Sequence, residues 1–224
     1  EFIFIIFFFF IFKMIGYKKA SNFGEIIGKI FGPLFRSSQK IQKNLDGSKI
    51  VNSKIERENI VNKMWGNYGR IFAEYVFIKN FRKNDLSHNL KITGEDILMK
   101  IKDQKKPVIF ISGHFNNFEL MAMQIDKLGI DLAAVYRPLN NIFLNPIMEN
   151  IRRKYICKNQ IKKGVSGTKE LLNHFKNGTS IALMIDQRVS EGIKCNFFNE
   201  KAFTTTIPAQ FVKKFKSKIV PIYI

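Results

Sequence analysis

Apolar residues run unbroken from position 2 to 12 (FIFIIFFFFIF) and then give way to a lysine-rich stretch. Eleven helical residues span roughly 16 Å, about half of a hydrocarbon core. The chain opens at Glu1 without a methionine and closes at Ile224 inside an apolar run. Both ends are therefore expected to be truncated, the missing amino-terminal part completing a membrane anchor. Downstream, Lys13, Lys18, Lys19, Lys29, Arg36, Lys40 and Lys43 face only Glu25. That is the positive-inside pattern, and it predicts an inner-membrane protein with its main body on the cytoplasmic side. A cleaved signal peptide is the rival, but no small-residue cleavage motif follows closely. Residues 22–35 (NFGEIIGKIFGPLF) are moderately amphipathic and suit the membrane interface.

Between 51 and 81, apolar positions recur at helical spacing: Ile55, Ile60, Val61, Met64, Tyr68, Ile71, Phe72, Tyr75, Val76. This predicts one or two helices with those residues, and Trp65, in core packing. The rhythm then changes. Short apolar runs at 108–112 (VIFIS), 132–136 (LAAVY), 181–185 (IALMI) and 218–224 (KIVPIYI) alternate with helical patterns at 120–128, 146–156 and 168–176, the last closed by Gly178. The expected fold is α/β, a mostly parallel central sheet flanked by helices, with an N-terminal membrane-anchor helix. The organisation divides into an anchor over 1–20, a helical, basic, interface-facing region over 21–100, and an α/β core over 101–224. There is no internal repeat.

The formal net charge is +19, from 37 basic residues of which 29 are lysine. Part of this is compositional bias, since the chain is also rich in Ile, Asn and Phe. The remainder suits an anionic membrane, a phosphorylated lipid or an acidic carrier protein. No nucleic-acid-binding signature and no run of five basic residues appears, so nucleic acid is not an expected partner. Cys157 and Cys195 lie far apart with no neighbouring histidine, which fits two reduced thiols rather than a metal site or a disulfide.

In open parallel sheets, ligands bind outside the carboxyl ends of the strands. After the first run comes GHFNNFE, with His114 and Glu119; after the second, Tyr136-Arg137-Pro138; after the third, Asp186-Gln187-Arg188. His114 and Glu119, five apart, would lie about 140° apart on one helix. If His114 sits in the loop, and Asn116 or Asn117 caps the helix, Glu119 falls in its first turn and the imidazole folds back toward that carboxylate. A carboxylate on one ring nitrogen leaves the other to take a proton from an alcohol. The competing reading is a surface histidine beside a glutamate favoured by the helix dipole.

With these residues in place, the chain resembles the lipid A biosynthesis acyltransferases, the late or secondary enzymes that add lauroyl or myristoyl groups, within the wider lysophospholipid acyltransferase superfamily. The likeness runs from the anchor through KIQKNL, GHFNNFELMA, AAVYRPLNN, Arg152-Arg153, ALMIDQR, Phe197-Phe198 and AFTTTIPA. His-x4-Glu alone is a weak signal; with YRP and DQ in order at strand ends it is a strong one. The resemblance implies His114 and Glu119 as the catalytic pair and Arg152, with Arg153 its close competitor, as the essential arginine. It implies Arg152, Asp186, Gln187, Tyr136, Arg137 and Asn141 as substrate-binding positions, Asn140 lying in the same matching stretch. The family's glycine-rich turn is replaced here by Val189-Ser190-Glu191-Gly192. The implied reaction carries an acyl chain from acyl carrier protein to a hydroxyl of a phosphorylated, Kdo-bearing glycolipid at the membrane, with no cofactor and no metal. Alternatives are a glycerolipid acyltransferase, which typically carries Asp at the last motif position and a later Glu-Gly-Thr, a mannolipid acyltransferase, and a non-catalytic basic protein of the membrane surface.

Overall fold

The computed structural model describes residues 2–49, 51, 53–198 and 200–224. In chain order the helices α1 (Phe2–Ile15), α2 (Tyr17–Phe31), α3 (Ser38–Ser48), α4 (Lys54–Glu74), α5 (Ile78–Arg82) and α6 (Glu95–Gln104) come first. Strand β1 (Ile109–Ser112), α7 (Glu119–Lys127), β2 (Leu132–Tyr136), α8 (Leu144–Tyr155), β3 (Asn159–Lys162), α9 (Val165–Lys176) and β4 (Ser180–Met184) then alternate. A hairpin, β5 (Ile193–Phe197) and β6 (Glu200–Thr204), precedes α10 (Ile207–Phe215) and β7 (Ile219–Pro221). The chain forms two compact units. One holds 3–77 with 188–204; the other holds Phe2, 78–187 and 205–224.

In the second unit the expected α/β sheet is present. Its order is β3-β2-β4-β1-β7, and every neighbouring pair is parallel. The apolar runs form strands because a sheet covered on both faces needs apolar side chains on both. Alternation sorts them. Ile109, Ala133, Ile161, Ile181 and Leu183 turn to one face and meet Leu171 and Phe175 of α9 and Phe211 of α10. The rings of Phe175 and Phe211 pack edge to face at 5.2 Å. Phe110, Ser112, Leu132 and Tyr136 turn to the other face, where the Ser112 hydroxyl lies 3.5 Å from Met121 Sδ of α7. Gly178 closes α9 at φ +90, as its position in the sequence predicts.

Several elements depart from the expectation. Strand β3 (NQIK) has no apolar run, yet Gln160 is buried, its amide donating to the Cys157 carbonyl at 3.1 Å. Helix α10 and the hairpin were not anticipated either. β7 ends at Pro221, shorter than the apolar run, because proline cannot donate to a ladder and sits at a sheet edge.

In the first unit, α2 and α4 pack backbone to backbone. Gly24, Gly28 and Gly32 recur every four residues and meet Gly69 and Ala73 of α4, the Trp65 carbonyl or the Trp65 ring. A Cβ on Gly69 would lie 1.9 Å from the Gly24 carbonyl oxygen, and one on Gly28 would lie 2.2 Å from that of Trp65. Only glycine permits such an approach. A polar strip fixes the register: Ser21 Oγ donates to Glu74 at 2.7 Å, Arg70 donates to Ser21 at 2.9 Å, and Arg70 and Lys29 both pair with Glu25. Helix α1 stops at Ile15, and Gly16 at φ +79 separates it from α2. Among the described residues no helix is long and apolar enough to cross a membrane. The expected anchor over 1–20 is thus not a single spanning helix in this structure.

Candidate active site

Strand β4 inserts between β2 and β1, so β1 and β4 are neighbours, with Ser112 beside Met184. Each chain runs two residues further before its reactive side chain, His114 on one and Asp186 on the other. Asp186 grips that turn twice. Its Oδ2 accepts the His114 backbone N–H at 2.8 Å, and its Oδ1 lies 2.8 Å from His114 Nδ1. A carboxylate oxygen accepts, so Nδ1–H is the donor in this contact. Nε2 lies 3.5 Å from the Gln187 amide nitrogen. The Phe118 ring meets the imidazole edge to face at 4.9 Å. Gly113 makes room: a Cβ there would press on the Phe115 ring at 3.0 Å and on Asp186 Oδ2 at 3.2 Å. The imidazole is 30% exposed, open enough to receive a reactant.

Glu119 takes a different partner from the one the spacing suggests. It is the first residue of α7, as expected, although Phe118 stands at the cap position and no side chain caps the helix. Its Oε1 accepts from Arg152 Nε at 2.8 Å and from Nη2 at 2.7 Å. Both side chains are nearly buried, 11% exposed for Glu119 and 13% for Arg152. The carboxylate on the imidazole is therefore Asp186, and that on the arginine is Glu119. The reason is topological: β4 brings Asp186 alongside His114, while Glu119 turns onto α8. Of the two adjacent arginines, Arg152 is the inward one and Arg153 is exposed.

Tyr136 lies under this pair, its ring centre 5.6 Å from the Arg152 guanidinium carbon. Burial, and then the Glu149 carboxylate, push its phenol up to about 12. Arg137 and Gln187 are exposed at the same strand ends. Asn140 is exposed, whereas the Asn141 side-chain oxygen is engaged, accepting from the backbone of Phe143 at 3.1 Å and Leu144 at 3.0 Å where α8 begins. Asn145, which the sequence reading passed over, braces the same loop: it accepts the Leu139 N–H at 2.7 Å and donates to Glu149 at 2.9 Å. Its spacing of four from Glu149 on a helix was the available signal.

No covalent nucleophile accompanies the histidine. Ser112 is buried, with its hydroxyl turned to the Gly113 carbonyl and Met121. Burial pushes the Cys157 thiol up to about 12, with Asp126 and Glu119 adding to it. Among the described residues, no three His, Cys, Asp or Glu side chains gather to hold a metal ion. The arrangement offers one imidazole backed by a carboxylate on Nδ1, with Nε2 beside the Gln187 amide, at the carboxyl edge of a parallel sheet. That is the equipment of a general base. The model of one family, described as bacterial lipid A biosynthesis acyltransferase, matches residues 1–224. No curated protein matches the chain.

Proposed function

The chain belongs to the bacterial lipid A biosynthesis acyltransferase family, and from that premise we propose that it moves a fatty acyl chain from the thioester of acyl carrier protein to a hydroxyl of a Kdo-bearing lipid A precursor. The observation that carries the mechanism is the Asp186 carboxylate 2.8 Å from His114 Nδ1. It supports His114 as the base. Nε2 takes the hydroxyl proton as the acceptor oxygen attacks the thioester carbonyl. The tetrahedral intermediate collapses, the C–S bond breaks, and the carrier's thiolate takes the proton back from His114. Asp186 holds the imidazole in the required tautomer and stabilises the imidazolium between the two transfers. Glu119 acts as a positioning residue through Arg152, locking the start of α7 to α8 beside the histidine loop. Arg137 and Gln187, exposed at the strand ends, take the acceptor and its phosphates. We infer that the reaction runs at the inner membrane on the cytoplasmic side, a reading that the lysines following α1 support.

The test is transfer from lauroyl- and myristoyl-carrier protein to a Kdo-containing lipid A precursor, beside a glycerol-phosphate lipid. Turnover of the lipid A precursor should fall by roughly 10² to 10⁴ in His114→Ala. Full activity in that variant would sink the proposal, and acylation of the glycerol-phosphate lipid alone would overturn the substrate.

A further inference from the structure

The two edges of the parallel sheet differ. The turn after β1 exposes Phe115 (52%), the loop after β2 exposes Ile142 (75%) and Phe143 (65%), and the first residue of α9, directly after β3, exposes Val165 (81%). The loops that lead into β1, β2, β3 and β4 expose no large apolar side chain among the described residues. In the connections of β1 to β4, apolar exposure thus lies where strands leave the sheet, at the edge that holds His114 and Asp186; elsewhere in this unit Ile97 and Met99 of α6 and Ile219 at the start of β7 are also exposed. Cations stand among these residues: Arg137 follows β2 and Lys163 follows β3, both exposed. Since β3 and β1 are three strand positions apart, the decorated edge is about 14 Å wide.

Large apolar side chains held in water on three separate turns are unfavourable unless something covers them. Apolar residues interleaved with cations suit a surface that is apolar beneath and anionic on top, which is the headgroup boundary of an anionic bilayer. An acidic protein alone would call for the cations but not for Val165 and Ile142. We propose that the carboxyl edge of this sheet docks directly onto an anionic lipid bilayer, with Phe115, Ile142, Phe143 and Val165 entering the interface and Arg137 and Lys163 meeting phosphates. The inference rests on the acyltransferase reading for its purpose: His114 would sit at headgroup level, and a lipid acceptor would reach Nε2 without leaving the membrane. The docking edge lies in the sheet unit, to which Phe2 at the start of α1 also belongs, its ring 5.9 Å from that of Phe143.

The test uses the full chain with Cys195→Ser and one introduced cysteine carrying an environment-sensitive fluorophore, at Val165 or, on the opposite edge, at Lys106. Cys157 is buried and stays unlabelled. Vesicles contain phosphatidylcholine alone or with phosphatidylglycerol, with or without nitroxide-labelled lipid. The expected result is a several-fold brightening of the Val165 label, quenched by the nitroxide, in the anionic vesicles only, with the Lys106 label silent. A silent Val165 label on protein that co-sediments with vesicles would overturn the proposal. So would brightening by acidic carrier protein without vesicles, which would give the edge to the donor. The doubly substituted Ile142→Ser, Val165→Ser chain should bind anionic vesicles about tenfold more weakly, as expected for lost apolar burial, yet transfer acyl chains to a detergent-dispersed acceptor at the normal rate. Label responses without any acyl transfer would leave the docking and remove the enzymatic reading; transfer without label responses would do the reverse.

Discussion

At the residue scale, two carboxylates compete for the role of partner to His114, and their contacts separate them. Asp186→Asn keeps the shape of the side chain but presents an amide to Nδ1, favouring the wrong tautomer; the analogous change in a serine-protease triad costs about 10⁴ in kcat. A loss of that order is expected here, with the limb of the pH–rate profile that reports the base displaced. Glu119→Gln should act differently. It leaves the Arg152 guanidinium buried without its carboxylate, and breaking a buried pair of this kind costs about 3–5 kcal/mol. The stability loss should appear in thermal unfolding, with the pH limb unmoved, and be partly relieved by adding Arg152→Met. A displaced limb in Glu119→Gln with normal stability would return Glu119 to the imidazole. The chemistry of His114, Glu119, Asp186 and Arg152 was legible in the sequence because all four lie just past strand ends or on the helices that follow. Their pairing was not, because it depends on β4 entering the sheet between β2 and β1, and strand order is not written in local spacing. Cys157 supplies a separate check. Its thiol is raised from 9.0 to about 12 by burial first, so roughly 10⁻⁴ is thiolate at pH 8. Iodoacetamide at pH 8 should modify Cys195 alone and leave transfer intact; inactivation through Cys157 would reopen a covalent mechanism. The same raised pKa means that Cys157 contributes stability in full below pH 9 and loses it as pH climbs through about 12. Cys157→Ala should therefore flatten the alkaline fall in melting temperature.

At the element scale, periodicity served well where burial is two-sided. β1, β2 and β4 are short apolar runs, and each lies within a residue or two of its expected place. It failed at β3, where Asn159 and Gln160 break the apolar pattern but the Gln160 amide finds the Cys157 carbonyl and sulfur. A buried polar residue with a local partner looks, in sequence, like a loop. The amphipathic reading of 22–35 missed a stronger feature of the same residues. Gly24 and Gly28 of α2, with Gly32 just past its end, form one stripe pressed on α4, while Phe23, Ile26 and Ile30 are the exposed side. The spacing of four was visible; that the small face, and not the large one, is buried became clear only with α4 beside it. Gly69→Val would drive a side chain into the Gly24 carbonyl, and because that contact is backbone, neither helix can yield without separating. Overpacking costs typically about 1–3 kcal/mol where side chains can adjust, and this site should exceed that range. Loss of the cooperative melting transition, against little change in Gly47→Ala, where the nearest atom to an added Cβ is 3.8 Å away, would separate tight packing from general intolerance of substituted glycines.

At the scale of the whole molecule, the net charge of +19 was the plainest feature of the sequence and the least specific. Lysine provides 29 of the 37 basic residues, whereas the positions that carry the site use arginine at 137 and 152, where a planar fork matters. A diffuse lysine field does not choose a geometry, but it would draw in the acidic carrier protein of the proposed reaction over distances of about a Debye length, roughly 8 Å at physiological salt. Steering of this sort acts on encounter and not on the chemical step. On the proposed reaction, raising ionic strength should raise KM for the acyl-carrier donor several-fold while leaving kcat, which that reaction assigns to His114 and Asp186, nearly unchanged. The acceptor should respond less, because part of its hold on the protein is apolar and apolar contact is not screened. A donor KM that stays flat with salt would assign the lysines to composition. A fall in kcat alongside KM would mean that charge pairs inside the site, Glu119 with Arg152 foremost, are loosening, and the melting temperature measured in the same buffers would reveal it.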